Sequence, residues 1–191
     1  MVYRCLKRIF DILLSGLMGC LFFPLFVCLY FLCRLTDPGP VLYWSKRVGI
    51  NSSLFLMPKI RTMKLDTPQV ATHLLTNSDQ YLTPMGSFLR KTSLDELPQL
   101  FSIFRGDMSF VGPRPALFNQ DDLMQLRKHA GVDKLLPGLT GWAQINGRDE
   151  ISLEEKVQLE SEYLKRRSLV FDLRILAMTF LKVLRQESIR H

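Results

Sequence analysis

The sequence predicts an α+β fold, mostly helical, and three observations carry that expectation. An apolar run of 25 residues, IFDILLSGLMGCLFFPLFVCLYFLC (9–33), stands near the start of the chain. Two strand-length segments around a turn follow in VLYWSKRVGINSSLFLMPKIRTM (41–63). Beyond residue 90, helical stretches alternate with loops punctuated by glycine and proline. The 191 residues suffice for one sizeable core. We divide them into a membrane element (1–35) and a globular domain (36–191).

Taken as one straight helix, the apolar run would measure about 37 Å against a bilayer core of about 30 Å. A signal peptide is the rival reading, but no small-residue cleavage site follows, and the run continues well past Cys20. Pro24 removes a backbone hydrogen bond and clashes with the carbonyl four residues earlier, at a cost of about 3 kcal/mol unless the helix bends. Split there, neither piece crosses a bilayer, although a kinked single span is tolerated. Arg4, Lys7 and Arg8 precede the run and Arg34 follows it. A single span sends one cationic end outward, against the positive-inside tendency. A helix–break–helix keeps both ends on one face. On the residues alone these two readings stand near even. Asp11 is expected at the headgroups, paired with Arg8 or Lys7.

The turn cluster TDPGP (36–40) marks the exit from the apolar run. The hairpin turns at Gly49, Asn51 and Ser52. Residues 64–80 are polar and define no element. A helix is expected from Thr92 to Phe104. NQDDLMQLRKHAG (119–131) reads as a helix stopped by Gly131. The glycine-rich PGLTGWAQINGRDE (137–150) reads as a loop, and 151–167 as a charged helix. In 169–184, Leu169, Leu173, Leu176, Phe180 and Leu184 share a helical stripe, expected first as core. With Arg174, Lys182 and Arg185 beside it, an amphipathic interfacial helix is the second reading.

Charge and cysteines narrow the class. The net charge is +7, of which the first 34 residues contribute +3; the remainder holds 21 basic and 17 acidic residues. That balance suits an anionic partner, and equally a merely soluble basic surface. Cys5, Cys20, Cys28 and Cys33 all lie in or beside the apolar run, which excludes a disulfide-stapled domain and offers no zinc spacing.

The adjacent acids Asp95 and Glu96 sit among Arg90, Lys91, Arg105 and Arg114. SLDE (93–96) matches a capping box with Ser93 as N-cap. Pro98 would then occupy a helical position that needs its missing N–H, so the helix starts later or bends. A carboxylate at such a helix start is held ionised, as a nucleophile or metal ligand must be. From the residues alone both roles, structural and reactive, stay open.

SLDELPQLFSIFRGDMSFVGPRP (93–115), LPGLTGWAQINGR (136–148) and PKIRTM (58–63) occur in one order. Together they resemble the bacterial sugar transferase family, the monotopic phosphoglycosyl transferases that start glycan assembly on a polyprenyl phosphate. The resemblance covers nearly the whole chain, and its length is similar to that of the small single-domain members. It implies a re-entrant membrane helix broken near Pro24 and a small catalytic domain on the cytoplasmic face of the bacterial inner membrane. It implies transfer of a phospho-sugar from a nucleoside diphosphate sugar, with uridine the expected base, to polyprenyl (undecaprenyl) phosphate. The route would be ping-pong, through a covalent aspartyl phospho-sugar on Asp95, with Glu96 and Asp95 at Mg²⁺ or Glu96 handling a proton.

By the same mapping Lys59, Arg61 and Arg114 contact phosphate, Gln144 and Asn146 a base or ribose, and Arg148 a phosphate. Trp142 would sit at the membrane interface. Glu160, in ESEY (160–163), stands where the family pattern has aspartate and would contact the nucleotide. Two further departures are Phe23, where relatives often have a small polar residue before the proline, and NSS (51–53), where they are often Gly- and Lys-rich. The implied partners are the two substrates and membrane phospholipid; nucleic acid is not expected, and a homodimer is left open. The alternative class is a non-catalytic, membrane-anchored basic protein binding anionic lipid or nucleic acid. Arginines gathered in proline- and glycine-punctuated motifs around one acidic pair favour the transferase.

Overall fold

A computed structural model describes residues 2–67, 78–147 and 151–184. Helix α1 is Val2–Thr36. Strands β1 (Leu42–Val48) and β2 (Leu54–Ile60) come next, then helices α2 (Gly86–Thr92) and α3 (Gln99–Arg105). Strand β3 (Ser109–Val111), helix α4 (Asp121–His129), strand β4 (Gly138–Thr140) and helices α5 (Trp142–Asn146), α6 (Leu153–Arg166) and α7 (Leu169–Leu184) complete the order. The fold is mostly helical α+β, as expected.

Pro24 lies inside α1, so the apolar segment is one helical element and not two. Both of its ends are built into the same body. Arg8 donates to the carbonyls of Ile103 and Phe104 (2.7 Å each), capping the C-terminus of α3. Asp11 is buried, where it accepts from Ser109 Oγ (3.1 Å) and Phe110 N (3.2 Å) at the start of β3. This corrects the headgroup placement: Asp11 satisfies strand backbone, and Lys7 pairs instead with Asp172 of α7 (2.8 Å). Toward the other end, Leu29 and Cys33 pack with Val41, Ile60 and Leu89. Between the two anchors Leu17, Leu21 and Phe23 are exposed. The helix is long and apolar enough to cross a membrane, and only 11% of its most apolar window is buried.

The hairpin forms as expected. Strands β1 and β2 pair antiparallel from Leu42↔Ile60 to Val48↔Leu54. The turn closes with Gly49 N donating to Ser53 O (2.7 Å), while Asn51 and Ser52 take positive φ. Directly paired residues point to one face, so Tyr43, Ser45 and Arg47 share a side with Lys59, Met57 and Phe55. On that side Ser45 and Met57 are buried and Phe55 packs against the main core.

The helix expected at 92–104 is instead two. Thr92 ends α2, and Ser93 takes the left-handed conformation (φ 56°, ψ 19°) that caps it. The Ser93 side chain caps neither the next turn nor α3, so the capping box does not form. Leu94–Glu96 is a single 3₁₀ turn, and α3 begins just after Pro98. The later start that Pro98 demanded is present.

Residues 137–147 are not the expected loop, and 148–150 lie outside the described residues. Strand β4 pairs parallel with β3 (Ser109↔Gly138, Val111↔Thr140), and α5 succeeds it. Glycine serves packing here: a Cβ on Gly138 would lie 2.1 Å from Gly112 N, and one on Gly141 2.1 Å from Gly112 O. Helix α4 ends as expected before Gly131 (φ 71°). The charged helix α6 starts with a complete capping box, Ser152 and Glu155. In α7 the core face is Phe171, Asp172 and Ile175. Of the expected stripe, Leu176 packs on the core while Leu173 and Phe180 are exposed; the side chain of Leu184 lies outside the described residues. The buried Asp172, bonded by Tyr3, Lys7 and Tyr163, rotates the core face off that stripe. The expected stripe is thus divided between the core and exposed surface.

Candidate active site

The 3₁₀ turn Leu94–Glu96 places two carboxylates against the side of the hairpin that carries Lys59. Asp95 is 8% exposed, and among the described residues no donor bonds its carboxylate. Burial pushes it up to about 6; Lys59 most strongly opposes the rise, Glu96 adds to it, and Arg90 and Arg114 oppose it. A carboxylate so placed is desolvated yet mostly ionised at neutral pH. Glu96 Oε1 accepts from Lys59 Nζ (3.1 Å) and lies 3.5 Å from Arg114 Nη2.

Sequence reading missed Arg47. It is half-buried, donates to Ser45 Oγ (2.9 Å) and Pro115 O (3.1 Å), and makes no ion pair among the described residues. Burial, with Arg114 beside it, draws it down to about 10, so it stays charged. Its signal was parity: the hairpin register puts it on the strand face that carries Lys59. Four cations (Arg47, Lys59, Arg90 and Arg114) thus act on two carboxylates, an electrostatic surplus suited to polyanions.

The PRP segment is held by its own backbone. Pro113 O accepts from Gly138 N (2.8 Å), Arg114 O from Arg127 Nη2 (2.9 Å), Pro115 O from Arg47 Nη1 (3.1 Å) and Ala116 O from Val48 N (3.0 Å). Four successive carbonyls therefore each have a donor from outside the segment. The two prolines fix φ around Arg114, so its side chain projects from a rigid strap toward Glu96.

The remaining candidates lie elsewhere. Arg61 is buried beneath the exit turn, paired with Asp37 (2.9 Å) and donating to Pro38 O (3.1 Å). Glu160 is 2% exposed and engages Arg127 through both oxygens (Nε–Oε2 2.8 Å), facing the interior where a nucleotide has no access. Asn146 Nδ2 donates to Trp142 O (2.7 Å), a local cap of α5. The Gln144 carboxamide has no partner among the described residues. Among the described residues no hydrogen bond or ion pair joins Gln144 or Asn146 to the Asp95 cluster. Arg148 lies outside the described residues. Trp142 packs on Phe171 (5.1 Å between ring centres) and donates to Glu162 (2.9 Å), which places its indole in the body of the protein.

Among the described residues no three His, Cys, Asp or Glu side chains cluster as metal ligands. Asp95 and Glu96 form a two-carboxylate set. Such a set suits a hard cation that takes its other ligands from water and substrate phosphates.

A mixed helical body, an apolar N-terminal helix docked at both ends and a cation-ringed acidic pair define the class. Residues 2–186 match the family model of the bacterial sugar transferases, and the chain belongs to that family. It is similar to the UDP-glucose:undecaprenyl-phosphate glucose-1-phosphate transferase of Escherichia coli (strain K12), 39% identical over 189 residues, 95% of this chain and 40% of that protein. The undecaprenyl-phosphate galactose phosphotransferase of Salmonella typhimurium is 38% identical over 203 residues, covering 96% of this chain and 41% of that protein. An uncharacterized sugar transferase of Bacillus subtilis, EpsL, is 39% identical over 97% of this chain and 90% of its own length. The chain thus spans two-fifths of the first two relatives and nearly all of the third.

Proposed function

We propose that this chain transfers a phospho-sugar from a UDP-sugar to undecaprenyl phosphate, through a covalent intermediate on Asp95. The observation that carries the reading is the Asp95 carboxylate itself: desolvated, without a hydrogen-bond donor among the described residues, mostly ionised at neutral pH and flanked by Lys59 and Arg114. The substrates come from the relatives, whose names give UDP-glucose and undecaprenyl phosphate.

In the first step a carboxylate oxygen of Asp95 attacks the sugar-linked phosphorus. A P–O bond forms, the bond from that phosphorus to the bridging oxygen breaks, and UMP leaves with that oxygen. In the second step an oxygen of undecaprenyl phosphate attacks the same phosphorus. The acyl-phosphate bond breaks, Asp95 returns as carboxylate, and undecaprenyl-diphosphate-sugar is released. Two steps spare the site from holding both polyanions at once. Lys59, Arg114 and Arg47 bind and orient the phosphates, and Arg114 offers its planar fork. Glu96 holds Lys59 and Arg114 in place until substrate arrives. When bound at Asp95 and Glu96, Mg²⁺ supplies charge neutralisation for the diphosphate.

The membrane geometry belongs to the same proposal. Residues 8–11 and 29–33 of α1 both pack on one body, and the segment between them is exposed and apolar. That arrangement supports a helix that enters and leaves a bilayer on one side, the cytoplasmic face of the inner membrane. The exposed Val170, Leu173 and Phe180 of α7 add apolar surface at the interface.

The test is single-turnover chemistry on the full chain in lipid nanodiscs, with a panel of UDP-sugars, Mg²⁺ and no acceptor. We expect UMP release stoichiometric with enzyme and a sugar-phosphate mass on the peptide bearing Asp95, neither occurring with Asp95→Asn. Release only when undecaprenyl phosphate is present would overturn the covalent route. No UMP under any condition would overturn the transferase reading and favour a lipid-binding protein.

A further inference from the structure

We infer that Arg127, oriented by Glu160, is a positioning residue for Arg114, an inference that rests on the catalytic reading of Arg114 above. Arg127 projects from α4 and Glu160 from α6, and both are sealed: 5% and 2% exposed. Arg127 presents Nε to Glu160 Oε2 (2.8 Å) and Nη2 to Glu160 Oε1, and the same Nη2 reaches the carbonyl of Arg114 (2.9 Å). The carboxylate thereby fixes the plane and reach of the guanidinium, and the guanidinium fixes one peptide of the strap.

Stability alone does not call for this arrangement. A buried ion pair is commonly replaceable by apolar side chains of similar volume without loss of stability. What an apolar pair would not supply is the donor to Arg114 O. That peptide lies between two prolines, and its side chain ends 3.5 Å from Glu96 in the acidic pair. A connected path thus runs from the α4–α6 interior through one carbonyl to the reacting carboxylates. The path also accounts for an acid in the ESEY segment without assigning it to the nucleotide: Glu160 acts on phosphate chemistry through Arg127 and Arg114.

A double-mutant cycle tests this. The paired variant Arg127→Met/Glu160→Leu is made in the wild-type and Arg114→Ala chains. UMP release with UDP-glucose and undecaprenyl phosphate is then measured alongside thermal unfolding. We expect the pair to lower kcat on the order of 10–100-fold, the cost of a misplaced reacting group, with the unfolding temperature held within a few degrees. In the Arg114→Ala background the same pair should change kcat by less than about threefold, because a residue acting through Arg114 has nothing left to position. Equal fold-losses in both backgrounds, or an unimpaired pair variant, would overturn the inference while leaving the proposed function standing. Wild-type activity in Arg114→Ala would overturn the role of Arg114, and this inference with it. Should the apolar pair prevent folding, Arg127→Lys runs the same cycle, since lysine keeps the charge opposite Glu160 and gives up the fork.

Discussion

Two glutamates in this protein meet cations in opposite ways. Glu160 and Arg127 are closed off from water, engaged through both oxygens and tied to backbone. Glu96 meets Lys59 and Arg114 at 3.1 and 3.5 Å, with about a fifth of its side chain exposed. The first pair is a fixture. The second is a looser contact, and under the proposed function its cations turn to a more highly charged anion. The same residue types therefore make a sealed, fully engaged pair in one place and a partly exposed, looser one in the other.

Asp95→Asn attacks the open side hardest. Transferase activity should fall on the order of 10³-fold or more, as when a nucleophile is removed. Stability should move the other way. An aspartate titrates near 3.9 when unfolded and at about 6 here. The folded state therefore keeps its proton longer, and stability declines as pH rises between those values, by at most roughly 3 kcal/mol. Asparagine removes that cost, so thermal unfolding at pH 7 should shift upward. An unchanged or lower unfolding temperature would show that Asp95 is stabilised by contacts.

Exchanging the two glutamates' fates sharpens the contrast. Glu160→Ala leaves a buried guanidinium uncompensated and should cost about 3–5 kcal/mol in denaturant unfolding. Glu96→Gln should cost less, about 1 kcal/mol, because its ion pairs are long, partly open to solvent and glutamine can still accept from Lys59, yet lower activity. Equal destabilisation by the two would erase the distinction.

Below pH 6, kcat/KM should fall about tenfold per unit as Asp95 takes up its proton. A profile flat to pH 5 would remove Asp95 as the ionised nucleophile. The smallest effect is expected at Arg61. Arg61→Gln should cost about 1 kcal/mol through the lost Asp37 contact and leave activity per folded molecule within about threefold. A large loss of activity there would return Arg61 to the phosphate site.

Much of this was legible in the sequence where local rules and tertiary packing agree. The hairpin was, because alternation and the Gly49–Ser53 turn set one register. The acidic pair and the irregular start before α3 were, because Pro98 forbids a regular one. Ser93 misled because its capping motif is formally complete while its backbone is left-handed, spent on ending α2. Residues 137–141 misled because glycine usually signals a turn, whereas Gly138 and Gly141 here admit the backbone of Gly112. A glutamate in ESEY looks the same whether it meets solvent, nucleotide or a buried arginine. Its partner Arg127 is 33 residues away, on a helix whose sequence is mostly polar.

The docking of both ends of α1 also rules out a simple shortcut for anyone who wants a water-soluble version. Deleting residues 2–36 would do more than shed a greasy anchor. It would strip the caps from the last carbonyls of α3, orphan the amide of Phe110 and uncover the faces of Val41, Ile60 and Leu89. Any change toward solubility has to be made on the outward side of that first helix, residue by residue, with its inward side left untouched.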